Sequence, residues 1–329
     1  MRVCNFCHFC AVWEIFVHPF RWLMMTMFAL LLAACSGGAP EDTVVVIPQG
    51  ASIAKAGQIL EEAGVVSASS FRNEVRFFGG DDPIKPGEYE IKAGMDAGDI
   101  LELLQSGKTV QRFVMVPEGM PSIMVWDRLM AENRLTGKVD VPAEGSVLPD
   151  TYAFTTGESR AAVVKRMQAA MDKAFAELWA KRSPRTAVKD RNEAITLASI
   201  VEKETGVPAE RRTVAGVYTN RLAVGMRLQA DPTIIYPITK GKPLGRRILR
   251  SEIQAVNGYN TYSMIGLPKG PIANPGKASI AAVLDPEPND YLFFVAKGDG
   301  GHIFARTLAE HNANVQKWYQ LRRERGEME

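Results

Sequence analysis

Cysteine is missing from almost the whole chain. All four cysteines of the 329-residue sequence lie in its first 35 residues, at Cys4, Cys7, Cys10 and Cys35. Residues 36–329 therefore cannot form an internal disulfide or a thiolate metal site, and their fold must rest on an ordinary hydrophobic core. The spacing of the first three cysteines suits a metal on paper, but they lie in an apolar segment upstream of a signal-like run, and we assign them no chemistry.

The sequence also lacks an excess of charge and the motifs that bind common cofactors. Its 39 basic and 37 acidic residues leave a formal charge of +2, so charge gives no reason to expect a nucleic-acid partner. Four histidines without ligand-like spacing argue against zinc. Neither a Gly-x-Gly-x-x-Gly nor a Walker loop occurs, so no nucleotide is implied. We therefore expect no metal and no cofactor.

One uncharged apolar run, residues 22–34, follows Arg21 and ends in Leu-Ala-Ala-Cys at Cys35. A bilayer span needs about 20 apolar residues, so the run is short for a span and fits a signal sequence. Its end resembles a bacterial lipoprotein signal with the lipid on Cys35; the alternative is an uncleaved helix that extends back to Phe16. Both interpretations anchor the protein in the bacterial cell membrane, with residues 36–329 on its outer or periplasmic face.

Residues 43–143 carry a strand–turn–helix pattern three times, after a small, polar tether at residues 36–42. The predicted strands are Thr43–Ile47, Glu88–Ile91 and Arg112–Val116, and each precedes a turn and apolar residues at helical spacing. Such short units cannot bury their apolar faces alone and must pack on one another. Two of them resemble the LysM-type glycan-binding module, a small βααβ unit; a spacer without a ligand is the alternative.

A second domain is expected over residues 158–329, since about 150 residues make a domain. Residues 144–157 are rich in Gly, Pro and Thr and predict a hinge. Residues 158–181 then have apolar side chains at helical spacing, which predicts a long amphipathic helix. The predicted fold class is α+β, with small LysM-like α/β units followed by a mixed, helix-rich catalytic domain.

The run Ile195–Val201 is apolar on all sides, so it predicts a buried helix that ends in a Glu-Lys-Glu sequence. Apolar walls raise the pKa of a carboxyl, and a glutamate that stays protonated near neutral pH can act as a general acid. Glu202 lies on the face of Ala198, whereas Glu204 points roughly 200° around the helix, so the two cannot do the same job. On composition alone, both are equally explained as solvated charges at a helix end.

Residues 226–276 are dense in Asn, Gln, Thr, Tyr, Pro and Gly. A sugar-binding surface needs rigid turns that present amides, hydroxyls and aromatic rings. Such loops form binding sites more often than they serve as structural scaffold. The candidate substrate-binding or supporting residues in this stretch are Gln229, Asp231, Thr233, Tyr259, Asn260, Thr261, Tyr262 and Asn274.

Three motifs, LASIVEKET, VYTNRL followed by MRLQADPTIIY, and YNTYSMIGLPKGPIANPG, resemble the YceG-like family of bacterial endolytic murein transglycosylases over residues 43–320. The resemblance implies an anchored enzyme that cleaves peptidoglycan between N-acetylmuramic acid and N-acetylglucosamine within strands. It places the catalytic glutamate on Glu202. It also suggests action on nascent strands beside the peptidoglycan synthases of elongation or division. The cysteine-bearing N terminus departs from the simple transmembrane helix that is usual in the family.

The resemblance implies a one-carboxylate mechanism, in contrast to the two carboxylates of ordinary glycosidases. Glu202 would protonate the leaving oxygen and then accept the proton of the muramic acid 6-hydroxyl, which leaves a 1,6-anhydro end. Asn260 and Gln229 are candidates to stabilise charge or grip the acetamide, and Asp231 to hold its loop or bind sugar. His302 is expected either in the wall of the site or in a structural hydrogen bond.

Two other functions compete with this prediction. The first is a muramidase that uses Glu202 together with Asp231 and a water molecule. The second is a non-catalytic lipoprotein that binds peptidoglycan through its LysM-like unit. Glu204 is expected to pair with an arginine or to cap a turn, so it has a supporting role in each case.

Overall fold

The computed structural model describes residues 38–79 and 82–327, which form two compact units. The first unit comprises the described residues up to Gln111 together with Thr155–Gly157, and the second comprises Arg112–Phe154 and the described residues from Glu158 onward. The expected anchor at residues 1–35, with Cys35, lies outside the described residues, as do the first two residues of the tether. Within the described part, every helix is too short or too polar to cross a membrane.

The first unit follows the order strand, helix, helix, strand, helix. Its elements are β1 (Thr43–Ile47), α1 (Ile53–Glu62), α2 (Ala68–Phe78), β2 (Gly87–Ile91) and α3 (Ala97–Ser106). β1 pairs with β2 in antiparallel register. Side chains cap two of the helices: the Ser52 side chain accepts a backbone N–H at the start of α1, and Asp96 does the same for α3. The helix α2 was not predicted from the sequence.

The two-stranded sheet of the first unit has one buried and one exposed face. Val45 and Ile47 of β1 are buried, whereas Val44 and Val46, which alternate with them, are exposed. This alternation follows from the period of two along a strand, with the helices covering one face only. The core is completed by Leu60, Phe71, Tyr89, Ile91, Ile100 and Leu104.

The second unit is helix-rich, with two short pairs of antiparallel strands. Its elements are β3 (Arg112–Met115), α4 (Ser122–Ala131), β4 (Thr151–Phe154), α5 (Arg160–Trp179), α6 (Arg191–Glu204), α7 (Arg211–Ala223), α8 (Pro232–Thr239), α9 (Arg250–Gln254), α10 (Lys277–Leu284), β5 (Phe293–Ala296), β6 (His302–Ala305) and α11 (Leu308–Glu324). β3 pairs with β4, and β5 pairs with β6. The mixed, helix-rich α+β class predicted from the sequence is confirmed.

The division between the two units differs from the one predicted. Residues 112–143 were predicted to belong to the N-terminal region, and residues 144–157 were predicted to form a hinge. In the structure β3 forms its hydrogen bonds with β4, so both segments contribute to the second unit. The local pattern of a strand, a turn and a helix does not reveal which distant strand completes the sheet.

The helix α6 is the centre of the second unit. Its residues 194–201 are all buried, as predicted from their apolar character. The helices α7, α8 and α10 pack around it. The end of α6, which carries Glu202 and Glu204, is therefore held by the core of the unit.

Candidate active site

The two glutamates at the end of α6 have different neighbours. The helix begins after Asp190, whose side chain accepts the N–H of Glu193 at 2.9 Å, and it ends where Thr205 adopts an extended backbone. Because each residue turns the helix by about 100°, side chains two positions apart point to nearly opposite sides. The expectation that Glu202 and Glu204 have separate roles therefore agrees with their contacts.

Glu204 is half-buried as a residue, but one of its carboxyl oxygens is enclosed and free of hydrogen bonds in the described part of the chain. Its Oε1 is buried and has no hydrogen-bond partner among the described residues. Burial, and after it the negative charge of Asp231, raise the pKa of Glu204 from 4.5 to about 7. The Tyr218 hydroxyl and the charge of Arg221 offset part of this rise. Such a carboxyl is about half protonated at neutral pH, so it can both donate and accept a proton.

Tyr218 and Arg221 reach Glu204 from one face of α7. Both are buried. The Arg221 guanidinium is held by backbone carbonyls, with Nε donating to Leu292 O at 2.6 Å and Nη1 donating to Leu228 O. Burial and the neighbouring Glu204 raise the pKa of Tyr218, so its hydroxyl stays protonated and acts as a donor. The two side chains thus fix the surroundings of the carboxyl.

Asp231 and Tyr262 form the other polar pair near Glu204. The Tyr262 hydroxyl donates to Asp231 Oδ1 at 2.6 Å. Burial and this hydrogen bond to a carboxylate raise the pKa of Tyr262, so the hydroxyl keeps its proton. Asp231 is otherwise exposed and presents a negative charge beside the buried carboxyl.

The loops that contain Gln229 and Thr261 are joined by a set of hydrogen bonds. The Gln229 N–H donates to Thr261 O at 3.3 Å, and the Ala230 N–H donates to Thr261 Oγ1 at 3.0 Å. The hydroxyls of Thr233 and Thr261 are 2.9 Å apart, and both residues are buried. Gln229 has a φ of 50°, a strained value for a residue with a side chain, and its side chain is exposed. Thr233 and Thr261 therefore support the site, while Gln229 is presented at its surface.

Asn260 is fully buried, and its amide is used inside the protein. Its Nδ2 donates to the carbonyls of Glu252, Ile253 and Ala255, and its Oδ1 accepts the Tyr262 N–H at 3.0 Å. The prediction that Asn260 stabilises charge or grips an acetamide is therefore contradicted, because no part of the amide is left for a ligand. The residue ties the end of α9 to the loop that follows it.

Asn274 is a second buried amide with a structural role. Its Nδ2 donates to Met120 O at 2.9 Å and Ser122 Oγ at 3.0 Å, and its Oδ1 accepts the Val147 N–H at 3.1 Å. Glu144 accepts the Ser122 N–H beside it at 2.8 Å, and burial raises the pKa of this carboxyl. Asn274 therefore joins three loops of the second unit.

Tyr259 lies in an aromatic cluster next to this network. Its ring centroid is 4.8 Å from that of Tyr236, and Lys269 Nζ lies 4.9 Å from the centre of the same ring. The Tyr236 hydroxyl donates to Glu144 and bonds with that of Tyr259, which connects the cluster to the buried carboxyl. Tyr259 is half-buried, so part of its ring remains accessible.

Glu202 is surrounded by polar groups rather than by apolar walls. Its Oε2 accepts the N–H of Gly276 at 2.9 Å, at the start of α10, and its Oε1 lies 3.7 Å from Arg211 Nη2. Arg211 lies 3.8 Å from Glu118 as well. A helix N-terminus and an arginine are partners of a carboxylate anion. The premise from which the sequence analysis made Glu202 the proton donor therefore holds for Glu204 instead.

His302 makes the structural hydrogen bond that was one of its two expected roles. Its Nδ1 lies 2.8 Å from Glu210 Oε2, and its N–H donates to Glu210 Oε1 at 2.9 Å. The ring packs edge-on against Phe294 at 5.2 Å. These contacts hold β6 against the helical turn that precedes α7.

Sequence reasoning missed Tyr218 and Arg221 as functional candidates. A signal was available, because both lie on the same stripe of α7 as the buried Val214 and Val217. A charged side chain on an apolar stripe must find polar partners in the interior, so it marks a position worth examining. Within the described residues, no cluster of acidic, histidine or cysteine side chains could hold a metal ion.

Comparison with known proteins decides the family. The sequence pattern of the YceG-like family matches residues 45–317, which is most of the chain. The chain belongs to the YceG-like family. The resemblance seen in the three motifs is thereby confirmed.

Two of the proteins that are similar to this YceG-like chain are named for an activity. It is 29% identical over 312 residues to the endolytic murein transglycosylase of Bacillus subtilis (strain 168), covering 85% of each protein. It is 28% identical over 318 residues to the endolytic murein transglycosylase of Streptococcus pneumoniae serotype 2, covering 82% of this chain and 57% of that protein. The crystal structure of a YceG-like protein from Listeria monocytogenes shares 30% identity and has a TM-score of 0.51, covering 84% of this chain and 99% of that one.

Proposed function

We propose that this protein is an endolytic lytic transglycosylase of peptidoglycan. It cleaves the bond between N-acetylmuramic acid and N-acetylglucosamine within glycan strands and leaves 1,6-anhydro ends. The observation that carries the proposal is one buried carboxyl, Glu204, with a pKa of about 7 and a free oxygen. Membership of the family and the names of the similar proteins from Bacillus subtilis and Streptococcus pneumoniae support it.

The general acid and base of the proposed reaction is Glu204 rather than Glu202. Protonated Glu204 donates to the glycosidic oxygen as the bond to the anomeric carbon breaks. The carboxylate that results accepts the proton of the muramic acid 6-hydroxyl as this oxygen bonds to the same carbon. The second step is intramolecular, so proximity replaces an activated water. One carboxyl with a pKa near the working pH is suited to both proton transfers.

The neighbours of Glu204 have supporting roles in this proposal. The negative charge of Asp231 keeps Glu204 protonated and stabilises positive charge that develops on the sugar. Tyr262 holds Asp231 in place through its hydroxyl. The exposed amide of Gln229 and the accessible ring of Tyr259 are suited to bind the acetamide and the sugar face.

The second candidate function is a muramidase with two carboxylates. The observation that favours it is that Asp231 is close enough to Glu204 to raise its pKa, as the second carboxylate of a glycosidase would be. In that reaction water attacks, so the products end in reducing sugars.

Product analysis distinguishes the two functions. We expect mass spectrometry of digested peptidoglycan to show anhydro ends as the main product. Asp231→Asn is expected to slow the reaction but to leave the same product, because water takes no part. Reducing ends one water heavier from the wild type, together with an inactive Asp231→Asn, would support the muramidase instead.

The pH dependence of the reaction tests the role of Glu204 by a second route. The reaction needs the protonated carboxyl, so activity is expected to fall as pH rises through about 7. Tyr218→Phe removes a hydrogen bond that favours the charged form, and the alkaline limb is expected to move up by about one pH unit. Asp231→Asn removes the charge that raises the pKa and moves the limb down. An unchanged limb in both variants would contradict the assignment.

The first unit and the N-terminal segment have roles in the same proposed function. The β-α-α-β order of the first unit agrees with a LysM-like module that binds glycan. The N-terminal segment anchors the chain by a helix or by a lipid on Cys35, with both units on the outer or periplasmic face of the membrane, near the synthases of nascent strands. Incorporation of labelled fatty acid that Cys35→Ala abolishes would distinguish the lipid from the helix.

A further inference from the structure

Residues 238–256, here called the basic segment, run from the end of α8 through α9. They contain five basic residues and one acidic residue, which leaves a formal charge of +4 in a chain whose total is +2. The basic residues are Lys240, Lys242, Arg246, Arg247 and Arg250. All five are exposed. The proposed reaction uses none of them.

Most of the positive charge of the basic segment is not neutralised by the protein. Lys242 pairs with Asp127 at 2.6 Å, and Arg246 pairs with Glu252. The Arg246 hydrogen bond lowers the pKa of Glu252 to about 2, so this acid is ionised at all physiological pH values. The remaining basic residues have no carboxylate within 4 Å in the part of the chain that the structure describes; they are Lys240, Arg247 and Arg250.

Apolar side chains are exposed among these cations. Leu249, Ile253 and Val256 have exposed fractions of 52%, 38% and 88%. Leu249 directly precedes α9, Ile253 lies within it, and Val256 follows two residues after its end. Ile238, at the other end of the basic segment, is also exposed.

We propose that the basic segment is a docking surface for an anionic lipid membrane. The cations fit the phosphate groups of the lipids, and the apolar side chains between them enter the boundary between headgroups and acyl chains. A soluble polyanion would satisfy the cations but would leave Leu249 and Val256 in water. The combination of exposed cations and exposed apolar side chains within one segment therefore favours the membrane.

The docking surface is joined to the candidate active site. Asn260 donates to the carbonyls of Glu252, Ile253 and Ala255 and accepts the Tyr262 N–H. Tyr262 in turn holds Asp231. Docking of the basic segment thus places the loop that carries these residues near the lipid surface.

Hydrogen exchange of the full chain in lipid nanodiscs tests the proposal. Discs of phosphatidylcholine are compared with discs that also contain phosphatidylglycerol. We expect the amides of residues 238–256 to exchange more slowly only in the anionic discs, and high salt to abolish the difference. Equal exchange of these amides in both kinds of disc would overturn the proposal.

Two sets of variants distinguish the contribution of the basic residues to membrane binding from that of the apolar side chains. A triple change of Lys240, Arg247 and Arg250 to Gln is expected to reduce the lipid-dependent protection roughly a hundredfold, since each basic residue contributes a factor of about five. Gln at the exposed lysines Lys165, Lys173 and Lys181, which are also unpaired within the described residues, is the matched control and should change nothing.

The apolar contribution is tested by Leu249→Asn combined with Val256→Asn. This variant is expected to lose protection in anionic discs, whereas Phe78→Asn, at an equally exposed position of the first unit, should not. If soluble polyphosphate without lipid protects these amides fully and the apolar variant has no effect, the basic segment binds a soluble polyanion and not a membrane. Cleavage of soluble glycan is expected to be unchanged in all these variants, so the outcome is independent of the proposed function.

Discussion

Glu204→Gln is expected to lower the rate of glycan cleavage by a factor of about 10²–10⁴. Loss of a general acid that protonates a poor leaving group has an effect of this size. The amide is nearly isosteric with the carboxyl but cannot donate an acidic proton or accept one. The measurement is the rate of anhydro-product formation from peptidoglycan by purified protein.

A gain in stability is expected to accompany this loss of activity. A raised pKa in the folded state means that ionisation opposes folding, so the wild type loses stability as pH rises from about 4.5 to about 7. The difference between the two pKa values lowers the free energy of unfolding by about 3 kcal/mol above pH 7. Glu204→Gln removes this loss, so its melting temperature should exceed that of the wild type at pH 8 but match it at pH 4.

Glu202→Gln is the matched control two residues away on the same helix. It removes a charge that Gly276 and Arg211 stabilise, so it is expected to lower the melting temperature while activity stays within about tenfold of the wild type. A folded but inactive Glu202→Gln, with an active Glu204→Gln, would return the proton-donating role to Glu202.

Asn260→Ala is expected to destabilise the second unit by about 3 kcal/mol. The change removes a buried amide that donates to three carbonyls and accepts one N–H, and it leaves those groups without partners. For a unit of this size the melting temperature should fall by roughly 10 °C. Thermal unfolding followed by circular dichroism measures the effect.

Gln229→Ala is the contrasting variant, because Gln229 and Asn260 were predicted from the sequence to have the same role. Gln229 is exposed and its backbone is strained, so truncation of its side chain should leave the melting temperature unchanged. If the amide binds the acetamide of the substrate, KM is expected to rise about tenfold, because the free energy of one hydrogen bond corresponds to a factor of about this size. A stable Asn260→Ala with a raised KM would show that Asn260 contacts the substrate after all.

Much of the fold could be predicted from local sequence because its causes are local. Ser52 and Asp96 cap the helices that follow them, and the β-branched run of β1 forms the expected strand. The buried helix α6 follows directly from its uninterrupted apolar residues. The sequence motifs also determined the family, since long ordered motifs rarely match by chance. In each case the residues that carry the signal are neighbours in the chain.

Only the tertiary structure decided which polar groups surround each of the two glutamates. Glu202 and Glu204 follow the same apolar run. The pKa of Glu204 depends on groups from α7 and from the loop at Asp231, whereas the Glu202 carboxyl accepts an N–H at the start of α10. The tertiary structure also decided the role of Asn260, whose amide donates to backbone carbonyls and is not available to a ligand. Burial and hydrogen bonding are properties of the packed chain, because the groups that determine them lie far away in sequence. The sequence therefore determined the residue types of this site, and the packing assigned their roles.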